Sequence, residues 1–279
     1  MDRFAERRAA FVRLHQSGCF VIPNPWDAGT ARYLGQLGFQ ALATTSAGFQ
    51  FSRGLPDTVL GSSRDAALAH IAGIVGATAL PVNADFQSGY AHGPEGVAES
   101  VALCVRTGVA GLSIEDATGR PGQLYELPLA VQRIEAARAA IDRSGAQVLL
   151  TGRAESYLVG HPEPFQDALR RLTAYAAAGA DVLYAPGART LEEIDAIVRA
   201  VAPKPVNVLV SGNNGLTVAA LAKIGVRRIS VGSALARTAW GAFMRAARLI
   251  AEEGSFAGFD GAAPFAELNE LFEPGQADS

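Results

Sequence analysis

The chain has 279 residues, close to the ~250 that one (β/α)8 barrel uses, and 49% of them are hydrophobic against 18% charged, which excludes long disorder. Its 24 basic and 27 acidic side chains leave a formal charge of −3, a balance that argues against a nucleic-acid footprint or a polybasic membrane anchor. No apolar run reaches the ~20 residues of a membrane span.

In chain order, residues 2–16 (DRFAERRAAFVRLHQ) set charged and apolar groups at helical spacing, and predict an extra helix closing the bottom of a barrel. Its charges break the unbroken apolar stretch that a signal peptide needs, so a cytoplasmic protein is expected. Short apolar, β-branched runs then recur at 18–23, 41–45, 79–85, 111–115, 147–152, 181–185, 205–210 and 227–231. Each is nearly continuous in hydrophobicity, as strands buried on both faces of a parallel sheet are. Between them lie Ala-rich segments of helical spacing, such as RDAALAHIAGIV, EGVAESVALCVRTG and PFQDALRRLTAYAAAG. Gly108, Gly145, Gly179 and Gly225 stand where helices should end. Alternating strand and helix implies right-handed crossovers, and eight such units predict an α/β fold of the (β/α)8 TIM-barrel type. An open doubly wound sheet would carry a Gly-rich nucleotide turn after its first strand, where this chain has Pro23-Asn24-Pro25-Trp26-Asp27. A long apolar helix over 234–253 and a short one near 263–272 complete residues 1–279, taken as one barrel domain with a C-terminal helical extension.

Two chemistries are disfavoured by composition. Cys19 and Cys104 are too few for a disulfide framework or a Cys-rich zinc site, and are expected to be reduced and buried. Only Lys204 and Lys223 are lysines, and neither follows a strand, where a Schiff-base lysine would have to project.

A barrel of this kind builds its active site at the C-terminal strand ends. The residues there are Trp26-Asp27, Thr44-Thr45-Ser46, Asn83 and Asp85, Glu115-Asp116, Arg153 and Glu155, Tyr184, Asn207, and Gly232-Ser233. Asp27 and Asp116 could equally be N-caps of the following helices. Asp85 and Glu115 end neighbouring strands, and two such carboxylates repel unless a cation or proton joins them. Mg2+ (or Mn2+), held through one or two carboxylates and waters, would do so; ion pairing to Arg153 is the alternative. No histidine falls at a strand end, which leaves zinc poorly served. Arg153 can grip a carboxylate in bidentate fashion. The small residues 44–48 predict a loop whose N–H groups cradle an anionic substrate, with VGSALA (231–236) as a second candidate anion site.

The segments PNPWDAGTARYLGQLGFQALATTSAGF, RGLPD, PVNADFQSGYAHGPEGVAESV, GVAGLSIEDATG, LLTGRAESYL and YAAAGADVLYAPG, in this order, resemble the isocitrate lyase/phosphoenolpyruvate mutase superfamily. The resemblance implies a (β/α)8 barrel that binds Mg2+ and a small 2-oxo acid or its enolate. It also implies a homo-oligomer, a dimer of dimers with the eighth helix exchanged between subunits. Asp85 matches the direct metal carboxylate, Glu115 a water-mediated one, and Asp57 an acid supporting metal waters. Thr45, Ser46 and Ala47 match the loop binding the substrate carboxylate, Arg153 the arginine near the substrate oxygens, and Asn207 a polar residue facing the pocket. Trp26 joins the substrate-binding candidates.

The departures are local. The superfamily's lyases carry a Lys-Lys-Cys-Gly-His loop after the IED strand, whereas here the stretch is ATGRPGQLYELP, without Cys, Lys or His. Asn83 replaces an acid two residues before the metal Asp, and Ala43 replaces a bulky aromatic. The expected activity is that of a C–C lyase acting through the enolate of pyruvate, oxaloacetate or 2-oxoglutarate, by cleavage, condensation or decarboxylation. Tyr184, Glu155 and Tyr125 are the candidate proton carriers, and Arg120 a candidate clamp on a distal carboxylate. The other readings are a non-catalytic 2-oxo acid binding barrel and a phosphate-binding isomerase-type barrel with its ligand at Gly232-Ser233.

Overall fold

The structure, a computed structural model, describes residues 4–58 and 61–273. Eight strands are present: β1 (Phe20–Ile22), β2 (Leu42–Ala43), β3 (Val82–Asp85), β4 (Gly111–Glu115), β5 (Leu149–Arg153), β6 (Val182–Tyr184), β7 (Val206–Leu209) and β8 (Arg228–Ser230). All pair in parallel, in the order β1-β8-β7-β6-β5-β4-β3-β2. The seam between β1 and β2 is tied by the Ala43 amide donating to the Pro23 carbonyl at 3.0 Å. The result is the predicted (β/α)8 barrel.

Its helices are α1 (Ala5–Gln16), α2 (Ala28–Gln36), α3 (Ser46–Ser52), α4 (Arg64–Ala77), α5 (Pro94–Arg106), α6 (Leu127–Arg143), α7 (Pro164–Ala177), α8 (Leu191–Val201), α9 (Val218–Lys223), α10 (Ala234–Glu253) and α11 (Phe265–Phe272). The N-terminal helix falls within the predicted 2–16 segment, of which residues 2 and 3 lie outside the described residues. It lays Phe11 edge-on to Phe20 of β1, at the end of the barrel opposite the strand C-termini. The glycines expected at helix ends have φ of 95° (Gly108), 67° (Gly145), 99° (Gly179) and 89° (Gly225), the left-handed region where a Cβ is penalised.

Side chains alternate along a strand, so every second residue enters the barrel. Leu112 and Ile114 of β4 face the helices in the main apolar cluster. The inward set mixes polar residues, Asn83 and Asp85, Ser113 and Glu115, Thr151 and Arg153, Arg228 and Ser230, with the apolar Phe20, Ile22, Ala43 and Leu149. Branched apolar side chains ordinarily fill such an interior. Polar lining here carries the chemistry-bearing surface well below the strand ends.

Two local expectations are corrected. Of residues 44–48 only Thr44 and Thr45 are loop: β2 stops at Ala43, and Thr45 caps α3, which starts at Ser46, its hydroxyl accepting from the Gly48 amide at 3.2 Å. Asp27, left open between cap and site, is the N-cap of α2 in a reciprocal box with Thr30, its Oδ1 accepting the Thr30 amide at 2.7 Å.

The last long helix stands apart from its barrel. Of α10 only Ala236 is buried, while Leu235, Trp240, Phe243, Met244 and Ile250 are exposed. The chain then returns, and α11 lies on α2, with Gln36 Nε2 donating to the Leu271 carbonyl at 3.3 Å.

Candidate active site

Arg153 is the hub of the strand-end acids. Register places it beside Glu115 on β4 and Tyr184 on β6. Its Nη1 lies 3.1 Å from Asp85 Oδ1 and 3.3 Å from Glu115 Oε2, and its Nε donates to Glu155 Oε1. The Tyr184 ring lies against the guanidinium, 5.2 Å from its carbon. The second Asp85 oxygen accepts both the Ser46 amide, at 2.9 Å, and the Ser46 hydroxyl, at 2.8 Å. Asp85 is thus held from β5 on one side and from the start of α3 on the other.

Asp57 is exposed, but its carboxyl feels the charges of both Asp85 and Arg153. Four carboxyls therefore share one guanidinium. Burial pushes Glu115 well up from the ordinary carboxylate range; Arg153 opposes the rise, and the Glu155 and Asp85 charges add to it. Burial likewise raises Glu155 against the pull of Arg153. Partial desolvation and the Asp85 charge raise Asp57. Burial alone would lower Arg153, yet the surrounding acids, Glu155 first, hold it well above its usual value. Tyr184 is pushed up to about 12 by burial, so its phenol is protonated at neutral pH.

Below this cluster the barrel encloses a chamber of about 50 Å3, bounded by Arg153 and Asp85 above and by Asn83, Asn207, Ser230 and Arg228 below. A wider cleft of about 640 Å3 lies outside, between the β3–α5 and β4–α6 connections, with Tyr90, His92, Arg120 and Tyr125 on its walls.

The frame around the site depends on two buried cations that the sequence does not single out. Arg133 of α6 donates to the carbonyls of Ser88, Ala91 and His92 and stacks over the Tyr125 ring at 4.0 Å. It grips the turn after Asp85, in which Gln87 (φ 46°) and Tyr90 (φ 54°) hold left-handed backbone that side chains disfavour. Arg171 of α7 binds Asp116 at 3.2 Å and Asp167 at 2.6 Å. Asp116 also accepts from Tyr175 Oη at 2.5 Å and from the Glu155 amide at 2.8 Å. Asp116 is therefore neither a helix cap nor a free acid; it fixes the start of the loop that carries Glu155.

The expected site residues separate into those that meet and those that do not. Asp85, Glu115, Glu155, Arg153, Tyr184 and Ser46 form one cluster, with Asp57 at its rim. The Asp85/Glu115 pair is joined by Arg153, the arrangement the sequence offered as the alternative to a bare metal pair. Thr45 spends its hydroxyl on its own helix cap, where it accepts the Gly48 amide. Asn207 lies deep, bonded to Ser230 and Arg228 rather than placed at the mouth. Trp26 lines a groove with Trp240 and Phe243 of α10 instead of the inner chamber. Tyr125 and Arg120 belong to the outer cleft. The second anion candidate, the turn into α10, is already filled: Asn24 Oδ1 accepts the amides of Val231 at 3.0 Å and Gly232 at 2.8 Å. An isomerase-type phosphate cradle would need those two donors.

Comparison with known proteins agrees with this architecture. Residues 11–251 match the family model of phosphoenolpyruvate phosphomutase. A Burkholderia cenocepacia protein described only in general terms as a lyase/mutase has a solved structure 48% identical to this chain, with a TM-score of 0.92 and 98% of each chain covered. Oxaloacetate acetylhydrolase, solved with its product oxalate, is 28% identical, with a TM-score of 0.85, over 97% of this chain and 95% of that one. The oxaloacetate decarboxylase of Paraburkholderia xenovorans is 30% identical over 205 residues, 70% of this chain and 66% of its own length. The chain belongs to the phosphoenolpyruvate mutase family, within the isocitrate lyase/phosphoenolpyruvate mutase superfamily.

Proposed function

We propose that the chain is a Mg2+-dependent enzyme that binds a small 2-oxo acid, oxaloacetate foremost, and acts through its enolate by breaking a C–C bond. The observation that carries this reading is the excess of acid at the strand ends, where Asp85, Glu115, Glu155 and Asp57 surround the single cation Arg153. The similarity to an oxaloacetate decarboxylase and to oxaloacetate acetylhydrolase supports the choice of substrate.

The donor set fits a hard divalent ion. The acids around Arg153 offer carboxylate oxygens, the donors of a hard cation, rather than the nitrogen and sulfur ligands typical of zinc. Mg2+ instead takes one or two carboxylates and keeps several waters. Asp85 and Glu115 would hold it, with Asp57 on its waters; Mn2+ would be accepted by the same oxygens. When bound, the ion would polarise the keto oxygen and stabilise the enolate.

The chain's own groups supply the rest. Ser46 at the start of α3 and the Arg153 guanidinium both contact Asp85, and Arg153 with the neighbouring Ala47 amide would orient the substrate carboxylate. Ser46 keeps Asp85 from turning away. Tyr184, protonated at neutral pH, could only donate a proton, whereas Glu155, raised by burial, could accept or return one. Isocitrate-type cleavage lacks its thiol: residues 117–126 hold no cysteine, and Cys104 is wholly buried in α5.

The exposed apolar side of α10 supports assembly as a homo-oligomer, a dimer of dimers with that helix exchanged between subunits. Incubation of the protein with Mg2+ and oxaloacetate, followed by proton NMR, tests the function. Pyruvate, or oxalate with acetate, should form faster than with Mg2+ and the Asp85→Asn variant. Equal rates for both would reject the reading.

A further inference from the structure

Arg228 is buried on the floor of the inner chamber, 3% exposed, and every partner it has is neutral. Its Nε donates to Asn207 Oδ1 at 2.8 Å and its Nη2 to Thr151 Oγ1 at 3.1 Å. Its Nη1 lies 3.5 Å from Asn83 Oδ1 and 3.4 Å from His15 Nε2. His15 cannot supply charge of either sign. Its Nδ1 donates to the Phe11 carbonyl at 2.8 Å, which leaves Nε2 as the lone-pair side facing Arg228. Burial, and then Arg228 itself, hold the imidazole neutral, with a pKa lowered to about 3. Tyr184 is the titratable group whose charge Arg228 would feel, and its phenol is neutral as well. Among the described residues no carboxylate pairs with Arg228. Arg153 meets three acids and Arg171 two. Arg133 of α6 also lacks an acid partner among the described residues, but its donors are taken up by the carbonyls of Ser88, Ala91 and His92.

A guanidinium withdrawn from water without a counter-charge is costly. Burial lowers Arg228 only to about 10, so it keeps its proton at neutral pH. Directly against it lies the chamber of about 50 Å3, space for one or two water-sized groups, ringed by the hydroxyls of Ser113, Ser230 and Tyr184.

We propose that this chamber is an anion site, in which Arg228 holds a small monovalent anion of chloride or formate size. The chamber shares Arg153 and Asp85 with the cluster above it, and Arg228 forms the opposite wall. Its role would be to neutralise the floor, so that Arg153 is the cation of the chamber that meets a substrate.

Thermal unfolding of the metal-free full chain, at constant sodium and ionic strength, distinguishes the outcomes. Replacing gluconate by chloride or formate should raise Tm by about 2 °C at roughly five times the Kd, and further with the logarithm of anion concentration. Bromide soaked into crystals should give an anomalous peak beside Arg228. The Asn83→Asp variant places a carboxylate where an amide oxygen now stands 3.5 Å from Arg228. It should make Tm independent of chloride without lowering it in gluconate. Arg228→Met should abolish the anion response, and if it fails to fold, the Asn83→Asp arm decides alone. A wild-type Tm that is the same in gluconate and chloride, or an Asn83→Asp variant that responds to chloride as the wild type does, overturns the proposal.

Discussion

Substituting Arg153 by Met tests how the strand-end acids are held. The change removes contacts at 3.1 Å to Asp85 and 3.3 Å to Glu115, together with the bond to Glu155, and leaves the three carboxyls facing one another. Removing one partner of a buried ion pair costs about 3–5 kcal/mol. The acids can limit that loss by taking up protons. Protonating a carboxyl of ordinary pKa near 4.3 costs about 5 kcal/mol at pH 8 but only about 1 kcal/mol at pH 5. The sign follows. Without Arg153 the folded-state pKa values of Glu115 and Glu155, already raised by burial, rise further above their unfolded values, so the penalty is absent well below pH 4 and grows as pH increases. Urea unfolding followed by circular dichroism, in a chelator to keep metals away, should show a loss of about 3–5 kcal/mol at pH 8 and about 1–2 kcal/mol at pH 5. A loss under 1 kcal/mol at pH 8, or the same loss at both pH values, would refute the view that Arg153 is what the carboxyls share.

His15, with a folded pKa of about 3 against 6.5 when free, contributes stability that is present above pH 6.5 and lost as pH falls below it. The loss should be about 2 kcal/mol by pH 5, and His15→Gln should remove that share of the acid sensitivity in chemical denaturation. His70, stacked on Phe49 and lowered by burial to about 4, acts in the same direction. Isocitrate and 2-methylisocitrate should yield no more than traces of glyoxylate or pyruvate, because a positioned acid/base contributes about 10²–10⁴-fold and the thiol is missing; robust turnover would place that role on another residue. Light scattering should give a tetramer mass, and Phe243→Glu on the exposed side of α10 should shift it downward; a wild-type monomer at micromolar concentration would contradict the assembly.

The barrel was legible because each strand is a short continuous apolar run bounded by helical spacing, and all eight runs became strands. The start of α3 was not. Thr44 to Gly48 is small and polar, a composition that serves a loop as readily as a capped helix, and only the Thr45–Gly48 bond decides between them. Asp85, Glu115 and Arg153 could be placed at one mouth from strand ends alone. Which of them touch depends on register across β3, β4 and β5, information that no local pattern holds. The same limit hid Asn24 in the turn before α10, 208 residues away, and Arg228 against Asn83, 145 residues away. Trp26 follows β1 in sequence as a site residue should, but the turn that Asp27 caps directs it to the α10 groove.

The most direct test of the central claim is isothermal titration of Mg2+ into the metal-free protein, in the absence and presence of oxalate as a stable stand-in for a 2-oxo acid enolate. Mg2+ should bind one site per chain. Oxalate should bind tightly only with the ion present, and Asp85→Asn should abolish both heats. Oxalate binding of equal strength with and without Mg2+, or no Mg2+ binding to the wild type in either condition, would contradict the account.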